Sequence, residues 1–175
     1  LRQVSLGDRA QTILKELVFE AGETASLAVM DGPAAYLVRR VEADGVLRAD
    51  LRVGTELRLD TSASGRVLCA FADPMRLQQL RARGLRVPSD EMMARIRRDR
   101  VATSSGRDFP GVLAIGAPVC NAEGACVAAL TLVAPVARYS EAKLRGPLER
   151  AAERLSAVMR GDAPRAGASS ERAAA

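Results

Sequence analysis

The run Leu57-Arg58-Leu59-Asp60-Thr61-Ser62-Ala63-Ser64-Gly65 puts small residues where a loop turns into a helix. Small side chains there leave the first N–H groups of the helix uncovered. Those groups, together with the helix dipole, hold an anion. The same small residues would equally let the helix pack tightly on a sheet. Thr131 is the lone polar side chain in the apolar stretch 126–133. By strand alternation it shares a face with Val127, Ala129 and Val133, while Leu130 and Leu132 point the other way. A hydroxyl on a face of small residues suits a pocket wall, and a Thr bonded to its sheet neighbours is the other outcome. Cys120 and Cys126 flank a hairpin turn and approach each other across it. That admits either a thiol redox pair or two buried cysteines acting as small apolar groups. The stretch 76–100 holds eight arginines against Asp90, Glu91 and Asp99, with no interleaved aromatics. It reads as a solvated helix face rather than a nucleic-acid surface.

Composition removes other chemistries. The chain of 175 residues has no His, which excludes Ser-His-Asp and Cys-His catalysis, His-ligated zinc and a His general base. No catalytic set, metal site or cofactor motif is evident. Apolar residues make up 48 % and charged residues 27 %, ordinary for a globular domain, but aromatics are only 3 % and Trp is absent. The core must therefore be built from Ala, Val, Leu and Ile. The net charge of +5 is spread along the chain, and all but Lys15 and Lys143 of the 26 basic residues are Arg. Such a balance is weak evidence for nucleic acid. The three cysteines (Cys69, Cys120 and Cys126) form no CxxC pair. No apolar run reaches the ~20 residues of a membrane span, and no signal peptide is visible. The expectation is a cytoplasmic domain with reduced thiols and no membrane contact. The first residue is Leu1, which suggests a piece of a longer protein.

Periodicity supplies the elements. Residues 8–20 carry Ala10, Ile13, Leu14, Leu17 and Val18 on one helical face, with Asp8 as the expected N-cap and Gly22 past the end. Strands are expected over 24–30 and 35–41, joined by Asp31-Gly32-Pro33, and a third, half-buried strand over 47–53. Residues 54–62 read as a loop, 63–72 as a helix capped by Thr61 or Ser62, and 74–83 as a helix opened by Asp73-Pro74 and closed by Gly84. A short helix follows Pro88-Ser89 to about residue 98. Strands return from Val101, with nearly continuous apolar runs over 112–119 and 125–134 around a four-residue turn. Ser140 opens a last helix with Leu144, Leu148, Ala151, Leu155 and Val158 in one stripe. From Gly161 the composition predicts a disordered tail over 162–175. Helices are segregated from strands, so the class is α+β with a central, mainly antiparallel sheet.

The segment 57–70 resembles the loop-to-helix motif of IclR-type bacterial transcriptional regulators. Further similarity lies in 106–119 and 128–135, with Gly22-Glu23-Thr24 and Val53-Gly54 in the expected order upstream. The resemblance covers about residues 8–161 and marks 1–161 as an effector-binding domain. This sequence departs from the family pattern at Asp60, Arg66 and Arg107, where His, Lys and Glu are usual, and in a shorter segment between Arg86 and Val101. The resemblance implies a GAF-like fold assembled into homodimers or homotetramers, and a small-molecule effector, often a carboxylate. It also implies a winged helix-turn-helix N-terminal to this domain and absent from this chain, through which alone DNA would be bound. By the same resemblance the ligand-binding positions are Leu57, Ala63, Ser64, Ser104, Val112, Ala114, Thr131 and Val133. The rival expectations are a GAF-like redox enzyme using Cys120 and Cys126, and an oligomerisation module without ligand.

Overall fold

The structure, a computed structural model, describes residues 2–44 and 51–161. Among the described residues five helices and six strands follow in the order α1 (Arg2–Ala21), β1 (Thr24–Asp31), β2 (Ala34–Val41), β3 (Glu56–Leu57), α2 (Ala63–Ala70), α3 (Pro74–Ala82), α4 (Asp90–Asp99), β4 (Ala102–Thr103), β5 (Val112–Cys120), β6 (Cys126–Pro135) and α5 (Glu141–Arg160). One sheet contains all six strands in the order β3-β2-β1-β6-β5-β4, and every neighbouring pair is antiparallel. The class is α+β, as the segregation of helices predicts.

Caps and turns fix the ends. Ser62, Asp73 and Ser89 cap α2, α3 and α4, each accepting from the backbone N–H three residues on. In the β5–β6 turn the Asn121 side chain accepts from the N–H groups of Glu123 at 3.1 Å and Ala125 at 2.9 Å. Gly124 completes that turn at φ 78°.

The two sheet faces are covered differently. Against one lie α1 and α5, whose Ile13, Leu14, Leu17, Leu144, Leu148 and Leu155 interlock with Leu27, Ile115, Leu130 and Leu132. Against the other lie α2 and α4, which bring Val67, Leu68, Cys69, Met93 and Ile96 onto Ala28, Ala35, Leu37 and Ala129. The sheet residues of this second face are mostly small, so the helices stop short of filling the space above part of it.

Two sequence readings are corrected. Of the strand expected over 47–53, residues 47–50 lie outside the described residues, and Leu51, Arg52 and Val53 are not in a strand. A tight turn runs from Arg52 to Thr55 with Gly54 at φ 93°. Leu51 is buried while Val53 is 63 % exposed, so their matching parity does not reflect a shared face. The place beside β2 is taken by β3, which the sequence reading put in a loop, with Leu57 opposite Ala35. The N-cap expected at Asp8 is likewise wrong, because α1 already begins at Arg2 and Asp8 sits exposed within it. The expected tail over 162–175 falls outside the described residues.

Candidate functional site

The site is built on the row where three strands place small residues side by side. Thr131 on β6 faces Ser26 on β1 and Gly116 on β5 in register. Val133 lies opposite Ala114 one row along. The Ser26 and Thr131 hydroxyls share a hydrogen bond of 2.7 Å, so Thr131 is a sheet-bonded hydroxyl as well as a wall residue. A Cβ on Gly116 would come within 2.9 Å of the Thr131 methyl and 3.4 Å of Val67. Glycine there lets the start of α2 sit close over the row.

Helix α2 is aimed by its approach loop. Gly65 has no room for a side chain, since a Cβ would meet the Arg58 carbonyl oxygen at 2.2 Å and the Leu59 Cα at 2.6 Å. The small residues of this segment do therefore serve tight packing. They also leave donors open. Ser62 Oγ accepts from Gly65 N at 2.9 Å and donates to the Arg58 carbonyl at 2.6 Å. Among the described residues, no acceptor lies within bonding distance of the Ala63 and Ser64 N–H groups. The Ser64 hydroxyl is also without a partner, although the residue is only 5 % exposed.

Ala63 and Ser64 border a cavity of about 50 Å³ between α2, the sheet and the loop 104–111. Leu57, Ala63 and Ser64 line one side of it, Val112 and Ala114 another, and Thr131 and Val133 the floor. Ser104 joins them at the rim, where its hydroxyl accepts from Ala114 N at 2.9 Å. All eight residues singled out from the sequence thus border one space. Sequence reasoning missed Ser26, Ser62, Asp108 and Phe109, which border it too, together with the aliphatic Leu37, Leu51 and Leu113. Ser26 had a legible signal, a small polar residue inside an apolar strand. Asp108 had none, because its loop carries no periodicity. In the structure Asp108 accepts from Thr61 Oγ1 at 2.6 Å and lies 3.8 Å from Arg58 Nε.

Arg66 braces the same region from outside the cavity. Its guanidinium donates to the Asp60 carbonyl at 2.8 Å and the Thr103 carbonyl at 2.7 Å, tying β4 to the approach loop. Burial pulls its pKa below the usual arginine value, against the opposing pull of Asp60 and Asp108.

The family of bacterial transcriptional regulator IclR C-terminal domains matches residues 1–157 of this sequence. The chain belongs to that family. HTH-type transcriptional regulator BhcR of Paracoccus denitrificans is 30 % identical, over 94 % of this chain and 63 % of its own length. The probable transcriptional regulator SauR of Cupriavidus necator is 29 % identical over 83 % and 62 %. The chain therefore spans about six-tenths of the length of these relatives. Among solved structures, the C-terminal domain of a putative transcriptional regulator from Vibrio cholerae superposes with a TM-score of 0.76 at 27 % identity, covering 83 % of this chain and 93 % of that one. The C-terminal domain of Escherichia coli KdgR shares the fold, with a TM-score of 0.74 at 23 % identity over 88 % and 98 %. The α+β sheet with helices on both faces is thus the GAF-like architecture of IclR C-terminal domains.

Two of the three cysteines of this IclR domain, Cys69 and Cys126, sit in poor surroundings for thiolate chemistry. Cys120 and Cys126 are partners in register across the β5–β6 hairpin, and both are free. Burial pushes the Cys126 thiol up to about 12, and the Cys120 thiol alongside adds to that. Burial likewise pushes Cys69 up to about 12. At neutral pH such thiols are almost wholly protonated. The arginines of 76–100 are tied in place more than the solvated-face reading expected. Arg76 donates to the Gly32 carbonyl, Arg97 to the Ala70 carbonyl, and Arg100 stacks over the Phe71 ring at 5.1 Å. Among the described residues no helix is long and apolar enough to cross a membrane.

Proposed function

We propose that this domain is the ligand-sensing part of a transcriptional regulator, and that its cavity takes a small organic carboxylate. The observation that carries the reading is the set of donors at the start of α2 that make no hydrogen bond within the protein, the Ala63 and Ser64 N–H groups and the Ser64 hydroxyl, all on residues that border one cavity. Open N–H groups in the first turn of a helix are ready donors for an anionic ligand. A carboxylate supplies two acceptor oxygens, and the helix N-terminus favours its charge. The apolar body of the ligand would lie against Leu57, Val112 and Val133.

The domain works within a longer cytoplasmic protein that forms a homodimer or homotetramer and binds DNA through a separate winged helix-turn-helix. It acts without catalysis. Ligand closes the approach loop onto the sheet and favours one arrangement of subunits, hence one spacing of the DNA-binding domains. The shift is limited to the ligand's differential affinity for the two arrangements.

Thermal unfolding against a panel of aliphatic and aromatic acids tests this. A ligand that binds only the native state adds about 2.7 kcal/mol at 100 times Kd, which raises Tm by several degrees in a domain of this size. Ser64→Trp, which fills the cavity, should abolish the shift. The reading fails if no acid shifts the wild type, or if the shift survives in Ser64→Trp.

A further inference from the structure

Among the described residues, Asp108 is the one charged side chain that borders the cavity. Its position is held: Oδ2 accepts from Thr61 Oγ1 at 2.6 Å, and Thr61 belongs to the same approach loop that delivers Ser64. The nearest cation, Arg58 Nε, is 3.8 Å from Oδ1, but that side chain is 58 % exposed while Asp108 is 17 % exposed. Arg58 is screened by solvent, and Arg66, outside the cavity, is a second cation that interacts with the Asp108 charge. A carboxylate has roughly four acceptor positions. Thr61 takes one, and an ionised carboxylate offers no donor in return. Among the described residues every other polar side chain around the cavity is neutral, and much of the remaining lining is aliphatic or aromatic, including Leu37, Leu51 and Phe109. The space is also small, at about 50 Å³. Asp108 and the start of α2 border the same space. In such low-dielectric surroundings a like charge is repelled strongly, and a hydrogen-bond donor is held strongly.

We propose that Asp108 selects which carboxylates this domain senses, favouring small acids that also carry a hydroxyl or ammonium donor and rejecting those with a second carboxylate. The proposal rests on the reading of the α2 start as the carboxylate site. It adds a second pole to that site: donors for the ligand's anion at Ala63 and Ser64, and an acceptor at Asp108 for its hydroxyl or ammonium group. The sequence gives these two poles to different segments, and the Thr61–Asp108 hydrogen bond couples them.

The test is calorimetric titration of the purified chain with four acids of similar size: propionate, lactate, alanine and malonate. Lactate or alanine should bind about tenfold or more tightly than propionate, the factor expected of a hydrogen bond to a charged group, and malonate most weakly. Which of the two leads says whether the second group sensed is a hydroxyl or an ammonium. Asp108→Asn keeps an acceptor for Thr61 and removes the charge. It should raise malonate affinity about tenfold and erase any advantage of alanine. If propionate or malonate binds the wild type as tightly as lactate and alanine, the selectivity inference is wrong while the carboxylate site stands. The same holds if Asp108→Asn leaves the order unchanged. If none of the four acids binds, the selectivity inference is wrong, and the carboxylate reading falls with it only if the wider panel of acids also fails to shift the wild type. The wild-type order alone is enough to overturn the inference should Asp108→Asn fail to fold.

Discussion

Strand β6 presents two different surfaces to the two sides of its sheet. Toward α1 and α5 it shows Leu130, Leu132 and Ala134, all inaccessible to solvent, and the helices answer with Leu14, Leu17, Leu148 and Leu155. Toward α2 it shows Ala129, Thr131 and Val133, beside Ser26 and Gly116 on the neighbouring strands. The first face is packed as a protein interior is, side chain into side chain. The second is deliberately short of volume, and the missing volume is the cavity. Stability and ligand recognition are therefore assigned to opposite faces of one sheet. Substitutions on the two faces should separate accordingly.

The largest effect belongs to the packed face. Leu132→Ala removes a fully buried side chain and should cost 2–5 kcal/mol of unfolding free energy, roughly the range for such truncations. Denaturant unfolding measures this, and any acid that binds should keep its affinity for the fraction still folded. Less costly is Gly116→Ala, whose new methyl would press on Thr131 and Val67. It should destabilise by about 1–3 kcal/mol and weaken ligand binding at the same time. A loss of stability with binding intact would break the assignment of that row to the cavity floor. Smaller again is Thr131→Val, which removes a hydroxyl bonded to Ser26 and should cost about 1 kcal/mol. Its effect on acid affinity should exceed its effect on stability.

The mildest prediction concerns pH. Burial raises the Cys69 and Cys126 thiols to about 12, and both pack on the α2 side of the sheet. The unfolded thiols ionise from an ordinary value of 9.0 upward, so the stability these groups contribute is whole below that pH. It is lost as pH climbs toward 12, because the unfolded chain then releases protons that the folded chain keeps. Replacing both by Ala should flatten the fall of stability across this window by the equivalent of two protons. An unchanged slope would show that these thiols are not held in low-dielectric surroundings.

Much of this division was legible in the sequence. Alternation in 126–133 puts Leu130 and Leu132 opposite Thr131, and the spacing of Leu144, Leu148, Ala151 and Leu155 marks the inner stripe of α5. Ser62, Asp73 and Ser89 announce their helices because a cap is a local interaction. What sequence reasoning misplaced is equally local in cause. Leu51 and Val53 share a parity, but the chain turns between Arg52 and Thr55, and β3 is too short at two residues to show any period. The packing reasons for Gly65 and Gly116 are long-range, since each yields room to a segment distant in the chain. Asp108 reaches the cavity through a loop without pattern, and only the fold shows that Thr61 holds it there.

The central claim is that a ligand carboxylate sits on the open N–H groups at the start of α2. Amide proton–nitrogen NMR of the isotope-labelled chain, titrated with a binding acid, reads those groups directly. The account predicts that the Ala63 and Ser64 amide resonances move downfield, saturate with the same Kd as the calorimetric titration, and stay fixed in Ser64→Trp. It is contradicted if the acid binds while these two amides remain where they were.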